Sequence, residues 1–168
     1  DKTDTKQIAY PGLKELVYDY DLERLAMKRA AEIALSYDHT RPNGQNPFTI
    51  YTEENITRWD TGENIAVASP NVYSKAEAVN NGWREDNEPY AGQGHRRNML
   101  DYKFTCVGVG HVTYNGYDYW VEEFASRPSI NTTETPANDS EQTVTVSVTK
   151  SWITNYKTSF DQDSYVLR

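Results

Sequence analysis

The sequence predicts an α+β domain, and three observations carry that expectation. Leu22, Leu25, Ala26, Arg29, Ala30 and Ile33 recur at steps of three and four, the period of a helix with one buried face. Asn115-Gly116 lies between two runs that alternate or stay apolar, the strongest short-range signal of a β-hairpin. A second helical pattern, with Ser74 as cap and Glu77 three residues later, occupies residues 71–83.

Element by element, residues 1–12 are polar, contain Pro11-Gly12, and read as a flexible lead-in. The first helix is expected over 13–36, with a break near Asp19 to Asp21, because Asp21 can start a helix with Arg24 and Lys28 beyond it. It ends before the turn signal Arg41-Pro42-Asn43-Gly44. Residues 45–70 show no strong period and are expected as loops and short helical turns. After the helix at 71–83 comes a loop at 87–94, then a short helix at 95–100. The hairpin strands are expected at 104–114 and 117–126. Residues 127–140 form a polar linker, and 141–149 alternate as a further strand with Val144, Val146 and Val148 on one face. The last stretch holds Trp152, Tyr156, Phe160 and Tyr165 in polar company. A chain ending at Lys150 is expected to keep a cooperative melt.

Bulk properties narrow the function. At 168 residues the chain suits one domain with an appendage. A formal charge of −8 opposes binding to nucleic acid or to an anionic membrane surface, both of which need clustered Lys and Arg. No apolar run approaches the length of about 18 residues that a membrane-spanning helix needs. The one cysteine, Cys106, excludes an internal disulfide and reads as a buried structural thiol. No Ser sits in a Gly-x-Ser-x-Gly setting, and Gly92-Gln93-Gly94 is too short for a phosphate loop, so nucleophilic catalysis and a nucleotide cofactor are not expected.

Chemistry concentrates in a few polar stretches. His39 follows a helix end, where an imidazole can act as a cap or a surface group. Glu63 lies in Gly62-Glu63-Asn64, and His95 opens a short helix after Gly94. His111 falls inside an apolar strand pattern and reads as structural or surface-exposed. Imidazole and carboxylate suit Zn²⁺ and related divalent ions, although the spacing is no local metal signature. A carboxylate can equally hold each imidazole in one tautomer without any metal.

Six pieces taken in order resemble the CAP superfamily of cysteine-rich secretory, antigen 5 and pathogenesis-related proteins, its bacterial SCP-domain branch most closely. They are Tyr37-Asp38-His39-Thr40-Arg41-Pro42-Asn43-Gly44, Gly62-Glu63-Asn64-Ile65-Ala66, Ala78-Val79-Asn80-Asn81-Gly82-Trp83, Gly94-His95-Arg96-Arg97-Asn98-Met99-Leu100, Val107-Gly108-Val109-Gly110, and Tyr119-Trp120-Val121-Glu122-Glu123-Phe124. The resemblance covers roughly residues 13–126 and implies an α-β-α sandwich, with a small antiparallel sheet between helical layers. The single cysteine departs from the disulfide-rich eukaryotic members.

The resemblance maps His39, Glu63 and His95 onto three members of the family's polar tetrad. Asp86 takes the second acidic position by its spacing from Trp83 and Tyr90, with Glu85 and Glu88 as the other candidates. His39, Glu63 and His95 are therefore expected to meet in one open cleft, the imidazoles roughly 5–8 Å apart, where they can hold Zn²⁺ or another divalent ion. The resemblance also implies secretion, so the chain reads as a mature or trimmed form with an extracellular or cell-surface location. The favoured function is a non-enzymatic module that binds a small ligand, a metal ion or a protein. The alternative is a divalent-metal-dependent hydrolase with peptide bonds as its substrate class and Glu63 or Asp86 as general base.

Overall fold

The computed structural model describes residues 12–69, 72 and 75–134, together with two backbone strands at 142–145 and 164–167. Two residues, Val17–Tyr18, form strand β1, which runs parallel to β3 (Cys106–Tyr114). The break expected near Asp19 is thus a change from strand to helix. Asp19 caps helix α1 (Tyr20–Leu35), its carboxylate accepting from the Asp21 amide at 3.0 Å. The apolar stripe read from the sequence is the buried face of α1: Leu22, Leu25, Ala26, Ala30 and Ile33 are fully buried.

Helix α2 (Thr49–Glu53) is one of the short turns expected in the next segment. Strand β2 (Thr61–Ala68) corrects the rest of that expectation. Its residues from Gly62 to Ala66 are buried on both faces, so no polar-apolar alternation marks it. Helix α3 (Ala76–Trp83) begins after the proposed Ser74 cap, which lies outside the described residues. A 3₁₀ turn at Tyr90–Gly92 leads into α4 (Gly94–Met99). The hairpin is β3 with β4 (Tyr117–Ala125). Its turn residues Asn115 and Gly116 have φ of 49° and 77°, the left-handed pair that a two-residue turn demands.

The sheet order is β1-β3-β4-β2, antiparallel except for β1. Helix α1 covers one face, where Ala26, Ala30 and Ile33 meet Ile65, Val112 and Val121. On the other face Val79 and Trp83 of α3 meet Ala66 and Trp120, with Met99 of α4 alongside. This is the α-β-α sandwich expected. Cys106 is buried between α1, α2 and the sheet; burial pushes its thiol up to about 12, and its Sγ donates to the Ala125 carbonyl at 3.3 Å.

The chain past 126 does not simply leave the domain. Arg127 pairs with Asp19, and with Asp21 at 2.9 Å. The Tyr20 amide donates to the Asn131 carbonyl at 2.9 Å, and Ile130 packs on the cluster that contains Leu22 and Leu25. Strand β5 (Gln142–Thr145) pairs with β6 (Ser164–Leu167) in a separate two-stranded sheet and does not extend the main one. Val146, Val148, Trp152, Tyr156 and Phe160 lie outside the described residues.

These contacts predict where truncation is tolerated. A chain ending at Glu134 is expected to melt near the full chain. One ending at Ser126 leaves the buried Asp19 carboxylate without its arginine, a loss on the order of 3 kcal/mol. Thermal melts of both would check this, and equal melts would show that Arg127 and Asn131 only decorate the helix start.

Candidate functional site

Helix α1 sets the site from below. Arg29 occupies a position of its apolar stripe and is fully buried. Its Nε donates to Glu63 Oε2 at 2.6 Å, its Nη2 to Glu63 Oε1 at 3.2 Å, and its Nη1 to Glu32 at 2.7 Å. Nη2 also reaches the carbonyls of Asp38 and His39, at 3.3 and 3.2 Å, so the same side chain fixes the loop that carries His39. Arg41 extends the network, donating to Glu32 at 2.7 Å and to Glu53 at 2.7 Å. An arginine on an apolar helix face was the sequence signal for this network, because such a charge is buried only when paired.

Strand β2 then presents Glu63 toward α1 and Asn64 toward α4. His39 Nδ1 lies 2.7 Å from Glu63 Oε1. Burial pushes the Glu63 carboxyl up, but hydrogen bonds from His39 and Arg29 outweigh it and hold the group below the ordinary carboxylate range. The same hydrogen bond raises the His39 imidazole above its ordinary value, against partial burial. Glu123, the cross-strand neighbour of Glu63, is fully buried and accepts from the Tyr51 hydroxyl at 3.0 Å. Burial, then the Glu63 charge, pushes its carboxyl well up, so of the two neighbouring acids Glu63 is the one that ionises more readily.

His95 is held by a different acid. Glu85 follows the end of α3 in the left-handed region, with φ of 48°. That turn brings its Oε1 to 2.5 Å from His95 Nδ1 and its Oε2 to 3.1 Å from the His95 amide. Asp86, the expected second acid, instead bridges Arg84 at 2.8 Å and Arg96 at 2.9 Å and is half-exposed. The spacing argument chose the wrong neighbour because the left-handed residue at 85 reverses the chain one position earlier, and the longer Glu side chain spans the gap. Glu88 lines the cavity but makes no bond to either imidazole.

The expected meeting of His39, Glu63 and His95 is therefore two imidazole–carboxylate pairs. His39 and Glu63 line a cavity of about 550 Å³ with Phe48, Thr61 and Asn98. His95 and Glu85 line another of about 540 Å³ with Tyr37, Ile65, Val79 and Trp83. Between the pairs, Asn98 Nδ2 donates to the Glu63 carbonyl at 3.2 Å and to Asn64 Oδ1 at 2.8 Å. Asn64 Nδ2 in turn donates to the His95 carbonyl at 3.3 Å and to Glu122 at 2.9 Å. Burial pushes the Glu122 carboxyl up to about 7, against that last bond.

Among the described residues, no group of three or more His, Cys, Asp or Glu side chains is placed to hold one metal ion. Glu63 already accepts three hydrogen bonds, two from Arg29 and one from His39. His111 joins neither pair: it stacks on Trp120 with ring centroids 4.0 Å apart, and its Nε2 lies 2.9 Å from Asp118.

Comparison with known proteins agrees with the fold. The model of the CAP, cysteine-rich secretory protein family matches residues 9–124. The uncharacterized protein YkwD of Bacillus subtilis is 29% identical over 118 residues, which are 69% of this chain and 41% of that protein. An extracellular SCP-domain protein from Bacillus anthracis superposes with a TM-score of 0.56 at 23% identity, over 70% of this chain and 35% of that one. An outer surface protein from Borrelia burgdorferi gives 0.55 at 22% identity, over 70% and 81%. The chain thus spans well under half the length of the two Bacillus proteins. With the sandwich, the ordered motifs and the family match over most of its length, this chain belongs to the CAP (cysteine-rich secretory protein) family.

Proposed function

We propose that the domain is an extracellular, non-enzymatic binding module whose ligand is contacted by the Nε2 atoms of His39 and His95. One observation carries the reading. Each imidazole has its Nδ1 engaged by its own carboxylate, while Nε2 has no partner among the described residues. That arrangement fixes tautomer and ring orientation, as in sites where the outer nitrogen meets a ligand. An extracellular location is supported by the relatives described as extracellular and outer-surface proteins. No helix among the described residues is long and apolar enough to cross a membrane.

The residues do not fit the three-donor metal set expected from the sequence. A divalent ion here would be held by imidazole nitrogen, with water completing its shell. Neither base named for the hydrolase alternative stands free: Glu63 is paired with Arg29, and Asp86 lies between two arginines.

Zn²⁺ serves as the probe of the exposed nitrogens. Calorimetry is expected to show binding at about pH 7.5 that weakens strongly at about pH 5.5, because a protonated imidazole has no lone pair. The raised His39 value places the start of this loss above the point for a free imidazole. His39→Ala and His95→Ala should each weaken binding. Affinity unchanged in both variants would remove the imidazoles from the site.

A further inference from the structure

Strand β2 is an edge of the main sheet, since the order β1-β3-β4-β2 leaves it one neighbour. The Ser126 amide donates to the Asp60 carbonyl at 3.1 Å, and the antiparallel register carries this bonded pairing on to Gly62, Asn64, Ala66 and Ala68. Thr61, Glu63, Ile65 and Val67 therefore turn their N–H and C=O groups away from β4. Two of those carbonyls are met by side chains: Asn98 Nδ2 donates to Glu63 and the Tyr37 hydroxyl to Ile65, both at 3.2 Å. The outward amides, and the carbonyls of Thr61 and Val67, have no partner among the described residues. Glu63 and Ile65 are nevertheless buried, at 5% and 6% exposure, and unpaired buried amides are rare. An eight-residue edge with neither Lys nor Pro is one that another strand can join.

This edge borders both cavities. Thr61, Gly62 and Glu63 line that of His39, and Ile65, Ala66 and Val67 line that of His95. The second cavity is also lined by Glu85, Asp86 and Glu88, and by no Lys or Arg. Glu85 is engaged by His95 and Asp86 by two arginines, but Glu88 is exposed and in no ion pair among the described residues. Trp83, 4% exposed, lines the same cavity, and its buried Nε1 has no hydrogen-bond partner among the described residues. Buried donors rarely go without an acceptor.

We propose that an extended basic segment of a partner protein docks on β2 as an added antiparallel strand, with Lys or Arg side chains in the acidic cavity. The inference deepens the binding-module reading and rests on it, though not on the imidazoles. Strand addition supplies main-chain hydrogen bonds, and pockets for alternate side chains supply selectivity. The pleat fixes which side chains those are. Partner residues that exchange hydrogen bonds with Glu63 and Ile65 share their face, toward α1. The residues between them point to the face of Ala66, Val79 and Trp83, where the acidic cavity lies. A carbonyl has two lone pairs, so the bonds from Asn98 and Tyr37 leave room for strand amides.

The test titrates the full chain with a capped peptide of about seven residues in which Val and Lys alternate. It should bind saturably, and about tenfold or more tightly than the same peptide with Glu for Lys. N-methylation of the Val amides, which face β2 in this register, should weaken it about tenfold or more. N-methylation of the Lys amides, which face away from β2, should change it less than about threefold. Glu88→Gln, at an exposed side chain, should weaken the Lys peptide about threefold or more. No saturable binding of the Lys peptide, equal affinity for the Glu peptide, binding that survives methylation of the Val amides, or affinity unchanged in Glu88→Gln would overturn the proposal. Zn²⁺ calorimetry on the same sample keeps the two readings apart. Zn²⁺ that binds where the peptide does not overturns the added strand alone, and a peptide that binds where Zn²⁺ does not overturns the imidazole contacts alone.

Discussion

Replacing Arg29 by methionine is expected to destabilise the domain by about 3–5 kcal/mol, because it leaves the buried Glu63 carboxylate with only the His39 imidazole and takes one of its two arginines from Glu32, which keeps Arg41. Glu32 and Glu63 are each about 1% exposed at the side chain, and Arg29 bonds both. The loss also frees the carbonyls of Asp38 and His39, so the His39 pair should loosen even where the fold survives. The pH dependence separates charge from packing. Glu63 has a lowered folded value, so its pairing adds stability above the unfolded carboxylate range, near about 4.3. That contribution is lost as pH falls through the folded value. Melts of both proteins at about pH 7 and about pH 3 should therefore show a large difference at the first and a smaller one at the second. Arg29→Lys should recover only part of the loss, since an ammonium cannot reproduce the fork. A difference as large in acid as at neutral pH would show that the arginine stem, and not its charge, supports the core.

What the sequence revealed, and what it hid, follows from burial. Helix α1 and strand β3 were legible because each alternates between buried and more exposed positions, which writes a period into the residues, while β4, buried throughout from Trp120 to Ala125, was legible through the Asn115-Gly116 turn and its apolar run. Strand β2 was not, because Glu63 and Asn64 are buried beside Ile65 and Ala66, and their polarity is balanced by partners far along the chain. The individual site residues His39, Glu63 and His95 stood out through the family motifs. Their meeting in one cleft was expected from the same motifs, whereas the tie between β2 and α4 through Asn64 and Asn98 left no mark in the sequence. Glu85 was missed as first choice because a left-handed non-glycine residue leaves no mark in sequence spacing. Arg29 was visible within the apolar stripe, but its partners lie 3 and 34 residues away, and only the fold brings the second to it.

Gly110→Ala is expected to abolish cooperative folding, or to cost more than about 4 kcal/mol, the range that marks a named packing failure. A Cβ at 110 would lie 2.2 Å from the Ala26 carbonyl carbon, 2.3 Å from its oxygen and 2.4 Å from the Met27 amide nitrogen. These are backbone atoms inside α1, so no rotamer change relieves them and the whole helix must lift from β3. Gly108 makes the same demand one pleat along, with a Cβ 2.1 Å from the Glu23 amide nitrogen and 2.2 Å from the Leu22 carbonyl carbon. Two glycines on one strand face therefore set the distance at which α1 rides over the sheet. That distance in turn lets Arg29 reach Glu63, so the seat of the helix and the His39 pair are one mechanical unit. The double variant Gly110→Ala, Ala26→Gly tells backbone from side chain. Because the obstacle is the Ala26 backbone, removing its methyl should give no rescue. Circular dichroism melts of both variants would check this. A sharp melt within about 1 kcal/mol of the parent for Gly110→Ala would show that α1 can move outward at little cost. Recovery in the double variant would place the clash on the Ala26 side chain instead.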